Sequence, residues 1–140
     1  MQSQYSVSLR ISGGNFDPDA LTRRFSLVPK YTRKFGAPIY CSKGCLVGTA
    51  NRSYWCYVHS EGATGSPGEE LKYIAELLLP HRTFLAGLQS EGANIGFYVE
   101  LFIGTSSSYG ESFSSDIIYT VASLGAAITI EAYHGDQIPT

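Results

Sequence analysis

The chain has 140 residues, which is enough for one domain with a hydrophobic core and too little for two domains of ordinary size. Hydrophobic residues make up 44% of it and charged residues 16%, with a formal net charge of -2, and this composition excludes a disordered or collagen-like chain. No apolar run approaches the roughly 20 residues of a membrane span, and the first residues do not look like a signal peptide, so we expect one cytoplasmic domain over residues 1–140.

A strand and a short helix are predicted at the start of the chain. Apolar side chains occupy every second position of residues 5–11, which is the pattern of a half-buried strand. Asp17 followed by Pro18 indicates a helix N-cap with proline in the first turn. Pro29 is expected to end this helix.

The next thirty residues change character midway. Glycines and prolines interrupt every period in residues 30–52, so we expect loops and a short edge strand there. Residues 53–60 are rich in tyrosine, tryptophan and valine and predict a strand. Its alternation places Trp55 and His59 on one face and Cys56 on the other.

Helices dominate the following segment. Ser66 and Glu69 form a capping box in front of a helix whose apolar positions run from Leu71 to Leu78. A second, shorter helix is predicted after it. Gly92 is expected to end this helix, because glycine readily adopts the left-handed conformation found after helix C-termini.

Two alternating segments and one more helix complete the chain. Strands are predicted over residues 97–103 and 128–133, and Ser114 or Ser115 caps the helix between them. The order of elements, with long helical crossovers, predicts an α+β fold of ferredoxin-like or split βαβ type. We expect a mixed or antiparallel sheet with helices packed mainly on one face, so that its other face meets solvent or a partner.

Charge is distributed unevenly along the chain. Residues 20–60 contain seven lysines and arginines and no acidic residue, whereas residues 61–140 contain ten acidic residues and two basic ones. This asymmetry indicates a charged partner if it survives folding, and it vanishes if neighbouring strands bring the two segments together.

A zinc site is the first chemistry to consider. Cys41, Cys45, Cys56 and His59 are zinc-binding residue types, but Cys56 and His59 point to opposite faces of one predicted strand and cannot share a tetrahedral ion. We therefore expect no metal site, with two free thiols in a loop and one buried cysteine. An odd cysteine count also fits a reducing compartment.

The groups of a hydrolase are also present, without a motif. Ser106–Ser108 could supply a nucleophile, and His134 and Asp136 a base and its orienting group, but a serine run next to glycine is typical of a loop and the nucleophile-elbow pattern is absent. We expect neither enzymatic activity nor a cofactor.

Residues 23–57 interleave cations with aromatic rings, as nucleic-acid surfaces do. An alternative function is therefore nucleic-acid or nucleotide binding through Arg33, Lys34, Lys43 and Trp55. The acidic pI of about 5.9 argues against nucleic acid, and packing of Trp55 in the core is the favoured interpretation.

The outward positions of the last two strands favour protein binding. They combine tyrosines, which give large contact area at low entropic cost, with carboxylates, which attract a basic partner. The predicted partner-binding residues are Tyr98, Glu100, Glu131, Tyr133 and Asp136, with Phe102 between them. The competing interpretation is that this face packs on the long basic loop.

These features together resemble a family of small bacterial proteins labelled as a domain of unknown function. The resemblance rests on Asp17-Pro18, Pro29, Gly36, Trp55, the leucine-rich segment Leu71 to Leu88, and Leu124-Gly125-Ala126 before the strand that reaches Tyr133. It implies the α+β fold and brings no catalytic residues. Small bacterial proteins of this kind resemble the immunity proteins of toxin systems, so we expect a protein that binds and inhibits a cognate toxin domain with a basic surface.

Overall fold

The computed structural model describes residues 3–104 and 109–134. The strands are β1 (Gln4–Ser12), β2 (Tyr31–Arg33), β3 (Pro38–Tyr40), β4 (Leu46–Thr49), β5 (Tyr54–Ala63), β6 (Asn94–Ile103) and β7 (Ala127–His134). The helices are α1 (Pro18–Phe25), α2 (Pro67–Leu78), α3 (Arg82–Ser90) and α4 (Ser115–Ser123), and a 3-10 turn, Leu79–His81, joins α2 to α3. The predicted α+β class is confirmed.

Five strands form one mixed sheet in the order β2-β5-β1-β6-β7. The pairs β2–β5, β5–β1 and β1–β6 are antiparallel, and the pair β6–β7 is parallel. Because β6 and β7 are direct neighbours connected through α4, no strand is inserted into this βαβ unit. Strands β3 and β4 form a separate two-stranded hairpin.

The hydrophobic core lies between the sheet and all four helices. Alternate residues of the central strands point into it, including Leu9 of β1, Trp55 of β5 and Phe97 of β6, each with 0% exposure. Each helix adds its apolar stripe to the same cluster, as Leu21, Leu71, Leu85 and Val121 show. The helices therefore cover one face of the sheet, as predicted.

The helix starts follow the predicted capping residues. The Asp17 side chain accepts a hydrogen bond from the backbone N–H of Asp19, Ser66 accepts from Glu69 at 3.2 Å, and Ser114 accepts from Ile117. Helix α1 ends earlier than expected. Ser26 adopts a left-handed conformation with φ of 55° and ends the helix three residues before Pro29. Among the residues that the structure describes, no helix has the length and apolarity to cross a membrane.

Candidate binding face

The sheet has a second surface on the side opposite the helices, which we call the open face. Strands β1 and β6 contribute their even-numbered residues to it. Strand β5 contributes Tyr54, Cys56 and Val58, and β7 contributes the odd-numbered residues from Thr129 to Tyr133. No described helix contributes to the packing on this side. It is the surface that the alternation of polar and apolar residues in the predicted strands assigned to solvent or a partner.

Four of the predicted partner-binding residues lie together at the β6–β7 side of the open face. Glu100 on β6 is directly opposite Glu131 on β7. Tyr98 is two residues before Glu100 on its strand, and Tyr133 is two residues after Glu131 on the other. Directly opposed carboxylates repel each other, which is a cost to the sheet and a source of negative potential at its surface. The fifth predicted residue, Asp136, lies outside the described residues.

Tyr133 is held in place by its neighbours. Its hydroxyl donates a hydrogen bond to Glu131 Oε2 at 2.7 Å, and this bond raises the pKa of Tyr133 because it favours the protonated phenol. Its ring stacks on Phe102, with centroids 5.5 Å apart and an interplanar angle of 20°. Phe102 lies on the open face directly opposite Tyr133, and it is only 6% exposed.

Arg10 brings a cation to the middle of the open face. Its guanidinium carbon lies 4.0 Å from the centroid of the Tyr98 ring, and Nη2 lies 3.7 Å from Glu100 Oε1. Tyr98 therefore takes part in a cation–π contact, and the charge of Glu100 is partly balanced, whereas Glu131 has no cation partner among the described residues.

A groove of about 420 Å³ runs along this part of the sheet. We call it the central groove; Ser6, Ser8 and Arg10 of β1 line its middle, and Tyr54 of β5 and Phe102 of β6 lie at its two ends. The Ser8 hydroxyl and the Arg10 Nε are buried there without a hydrogen-bond partner among the described residues. Buried polar groups in proteins almost always have partners, so these two are exceptional.

A second depression of about 530 Å³ adjoins the groove. We call it the arginine cleft; it lies between the edge strand β2 and the β3–β4 hairpin, and Arg33, Arg52, Tyr31 and Tyr54 line it. Neither arginine forms an ion pair with a described residue. Burial raises the pKa of Tyr54 to about 12, so this phenol is protonated at neutral pH and can donate a hydrogen bond.

The residues of the nucleic-acid alternative do not form one site. Arg33 lines the arginine cleft, while Lys34 and Lys43 are exposed in the turns before β3 and at the tip of the β3–β4 hairpin. Trp55 points to the other face of the sheet, where its Nε1 donates to Thr22 Oγ1 at 3.0 Å. An indole with 0% exposure has no ring face available for a nucleobase.

The expectation of two free loop thiols is wrong. Cys41 and Cys45 form a disulfide across the tip of the β3–β4 hairpin, where their Cα atoms lie 5.3 Å apart, within the range that a disulfide requires. Cys56 is free and buried. It lines the central groove on the open face, whereas the His59 ring packs against Tyr73 of α2 on the helix side.

The hydrolase groups are only partly described. His134 is exposed at the end of β7. Ser106–Ser108 and Asp136 lie outside the described residues, so the predicted arrangement is not tested.

The sequence-based prediction missed the residues at the centre of the face. Ser8, Arg10 and Tyr54 line the central groove. A signal was present, because Ser6, Ser8 and Arg10 are the polar positions of the first predicted strand. Polar positions on an edge strand are simply solvated, and only the finding that β1 lies between β5 and β6 makes them the middle of a surface.

The fold and this face define a class of protein: a small α+β domain whose described helices all pack on one side of a mixed sheet. The chain matches, over residues 3–135, the family model described as a domain of unknown function, DUF4279, and it belongs to that family. Searches of curated proteins and of solved structures found no match.

Proposed function

We propose that this protein is a non-enzymatic binding module that works as a cytoplasmic immunity protein, binding and inhibiting a cognate bacterial toxin domain through the open face. The observation that carries the proposal is the position of Glu100 and Glu131, directly opposed between two tyrosines on a face that no described helix covers. A folded domain gains little from adjacent like charges, whereas a basic partner would neutralise them.

The aromatic residues of the open face support the same proposal. Tyr98 and Tyr133 are half-buried and held by contacts with Arg10 and Phe102, so they present ordered rings with little rotamer freedom left to lose on binding. Ordered tyrosines beside charged residues are typical of the centres of protein interfaces.

The charge asymmetry of the sequence supports a charged partner. Among the described residues, one ion pair joins the basic segment 20–60 to the acidic remainder, that of Lys30 with Glu61. The open face therefore has a basic end, at the arginine cleft, and an acidic end, at β6 and β7. The acidic end suits a toxin domain that acts on nucleic acids, because such domains carry basic surfaces to hold phosphate.

The proposal is tested by co-expression with the toxin domain that it requires. We expect the coding sequence directly upstream in the source genome to specify a secreted protein with a toxic C-terminal domain. Co-expression of the present chain should restore growth of cells that produce this domain. Alanine at Tyr98, Glu100, Glu131, Tyr133 and Asp136 together should abolish the protection.

A matched variant separates binding from folding in this experiment. Glu69 and Glu76 are exposed on α2, on the other side of the molecule, and Glu69→Gln with Glu76→Gln removes two carboxylates there. That double variant should protect as the natural chain does. Full protection by the five-alanine variant, or no inhibition of the upstream domain by the natural chain, contradicts the proposal.

Nucleotide or nucleic-acid binding is the second candidate function, and the arginine cleft is the observation that favours it. Two unpaired arginines and two tyrosines around 530 Å³ combine cations for phosphate with rings for a base. Binding to a fluorescent single-stranded oligonucleotide should then weaken steeply with added salt and be lost in Arg33→Gln with Arg52→Gln. Absent or salt-insensitive binding eliminates this candidate.

A further inference from the structure

The middle of the central groove contains two buried polar groups that lack partners. Ser8 is 4% exposed, and neither its hydroxyl nor the Nε of Arg10, two residues further along β1, makes a hydrogen bond to a described residue. Both residues line the groove. Burying such groups unpaired costs free energy, and a ligand that accepts their hydrogen bonds would offset that cost.

The charged side chains around the groove leave Arg10 available. Lys30 and Glu61 pair with each other at one end. Glu100 lies 3.7 Å from Arg10, which is longer than the roughly 2.8 Å of a charge-assisted hydrogen bond. Arg10 is therefore attracted by Glu100 without having its donors fully used.

The unpaired groups determine the ligand chemistry. An Arg Nε–H can only donate, and a serine hydroxyl can donate to the same acceptor, so both are satisfied by a ligand oxygen with negative charge. Tyr31 and Val58 add aromatic and aliphatic surface beside this centre, and Tyr54 and Phe102 lie at the two ends of the groove. A volume of about 420 Å³ is in the range of sites for one small molecule.

We propose that the central groove binds a small molecule that carries a carboxylate or phosphate group on an aromatic or aliphatic body. The oxyanion accepts hydrogen bonds from Ser8 Oγ and Arg10 Nε and competes with Glu100 for the guanidinium. The body lies against Val58 and Cys56, which are the β5 residues directly opposite Ser8 and Arg10. This site does not depend on the toxin partner proposed above.

The test uses the full chain and three simple probes. Benzoate and phenyl phosphate carry the two oxyanions on the same ring, and benzamide is the neutral match of benzoate. In amide NMR spectra, benzoate or phenyl phosphate at millimolar concentration should shift the signals of Ser8, Arg10 and their neighbours on β5 and β6 and approach saturation. Benzamide should shift them weakly, and the oxyanion that binds more tightly identifies the head group.

Two variants test the assigned donors. Ser8→Ala should weaken binding of the tighter probe roughly tenfold, since it removes a hydrogen bond to a charged group. The same variant should raise the free energy of unfolding of the free protein, because it deletes an unpartnered buried hydroxyl. Arg10→Gln should weaken binding at least as much. Arg52→Gln, in the adjoining arginine cleft, is the matched control and should bind as the natural chain does.

Several outcomes would overturn this site. They are the absence of shifts with both oxyanions, shifts centred on Arg33 and Arg52, equal binding of benzamide and benzoate, or unchanged affinity in Ser8→Ala and Arg10→Gln. None of them bears on the growth-protection experiment, and loss of protection by the toxin-binding variants has no effect on the NMR result.

Discussion

At the scale of single residues, the open face places titratable side chains in surroundings that change their chemistry. Tyr54 is the clearest case, because burial raises its pKa to about 12. A tyrosine in the unfolded chain titrates near 10.0. A group whose pKa is higher in the folded state stabilises the fold below its unfolded pKa, and that contribution is lost as the pH rises towards the folded pKa.

Stability is therefore expected to fall between pH 10 and pH 12, and Tyr54 to contribute to the fall. Tyr54→Phe should make the decline in the urea midpoint shallower over this window, because phenylalanine has no proton to lose. Tyr40→Phe, at an exposed hairpin position, is the control and should follow the natural chain. An equally steep decline in Tyr54→Phe would show that this phenol does not contribute.

At the scale of elements, the turn after β1 depends on a close backbone approach. Gly13 has φ of +99°, and a Cβ on it would lie 2.7 Å from the carbonyl oxygen of Gly92. Both the positive φ and the contact require glycine. The sequence indicated that Gly13 ends the first strand, and the structure adds that it lets this end of the strand approach the residues before β6.

Two glycine-to-alanine substitutions should therefore have opposite effects on stability. Gly13→Ala should lower the free energy of unfolding by about 2 kcal/mol or more, because it adds strain and a steric clash. Gly87 lies within α3 with nothing within 4 Å of its Cβ position, and Gly87→Ala should raise that free energy by about 0.5–1 kcal/mol. Urea unfolding measures both, and a neutral Gly13→Ala would contradict the described turn.

The β6–β7 pair carries a cost that the proposed function explains. Glu131→Gln removes the repulsion with Glu100 and keeps an oxygen that can accept from Tyr133. It should raise the free energy of unfolding by about 0.5 kcal/mol. Glu76→Gln on α2 removes an exposed carboxylate from a helix and is the control. A loss of stability in Glu131→Gln would show that the carboxylate serves the fold.

The sequence predicts these elements well wherever the determining interaction is local. The Ser66–Glu69 cap, the Ser114 cap and the opposite directions of Cys56 and His59 all depend on residues within a few positions of one another. The disulfide was missed because the Cys41–Cys45 pairing needs the hairpin that brings the two residues together. Alternation likewise does not reveal where a strand lies in the sheet, so the central position of Arg10 could not be predicted.

At the scale of the whole molecule, the proposed function requires a sheet face that no described helix covers. All four helices pack on the opposite side, and the chain places cations and carboxylates at different ends of the face that remains. Tyr98, Glu100, Glu131 and Tyr133 were predicted as a group because strand periodicity alone puts them on one side. Their use for binding a toxin domain stays a prediction.

The most direct test is the affinity of the purified chain for the upstream-encoded toxin domain, measured by titration calorimetry. Glu100→Gln with Glu131→Gln should weaken binding at least roughly tenfold, equivalent to about 1.4 kcal/mol. Glu69→Gln with Glu76→Gln makes the same change of charge on α2 and should leave the affinity unchanged. Equal affinities for the two double variants, or a larger loss from the α2 pair, would contradict the assignment of function to the open face.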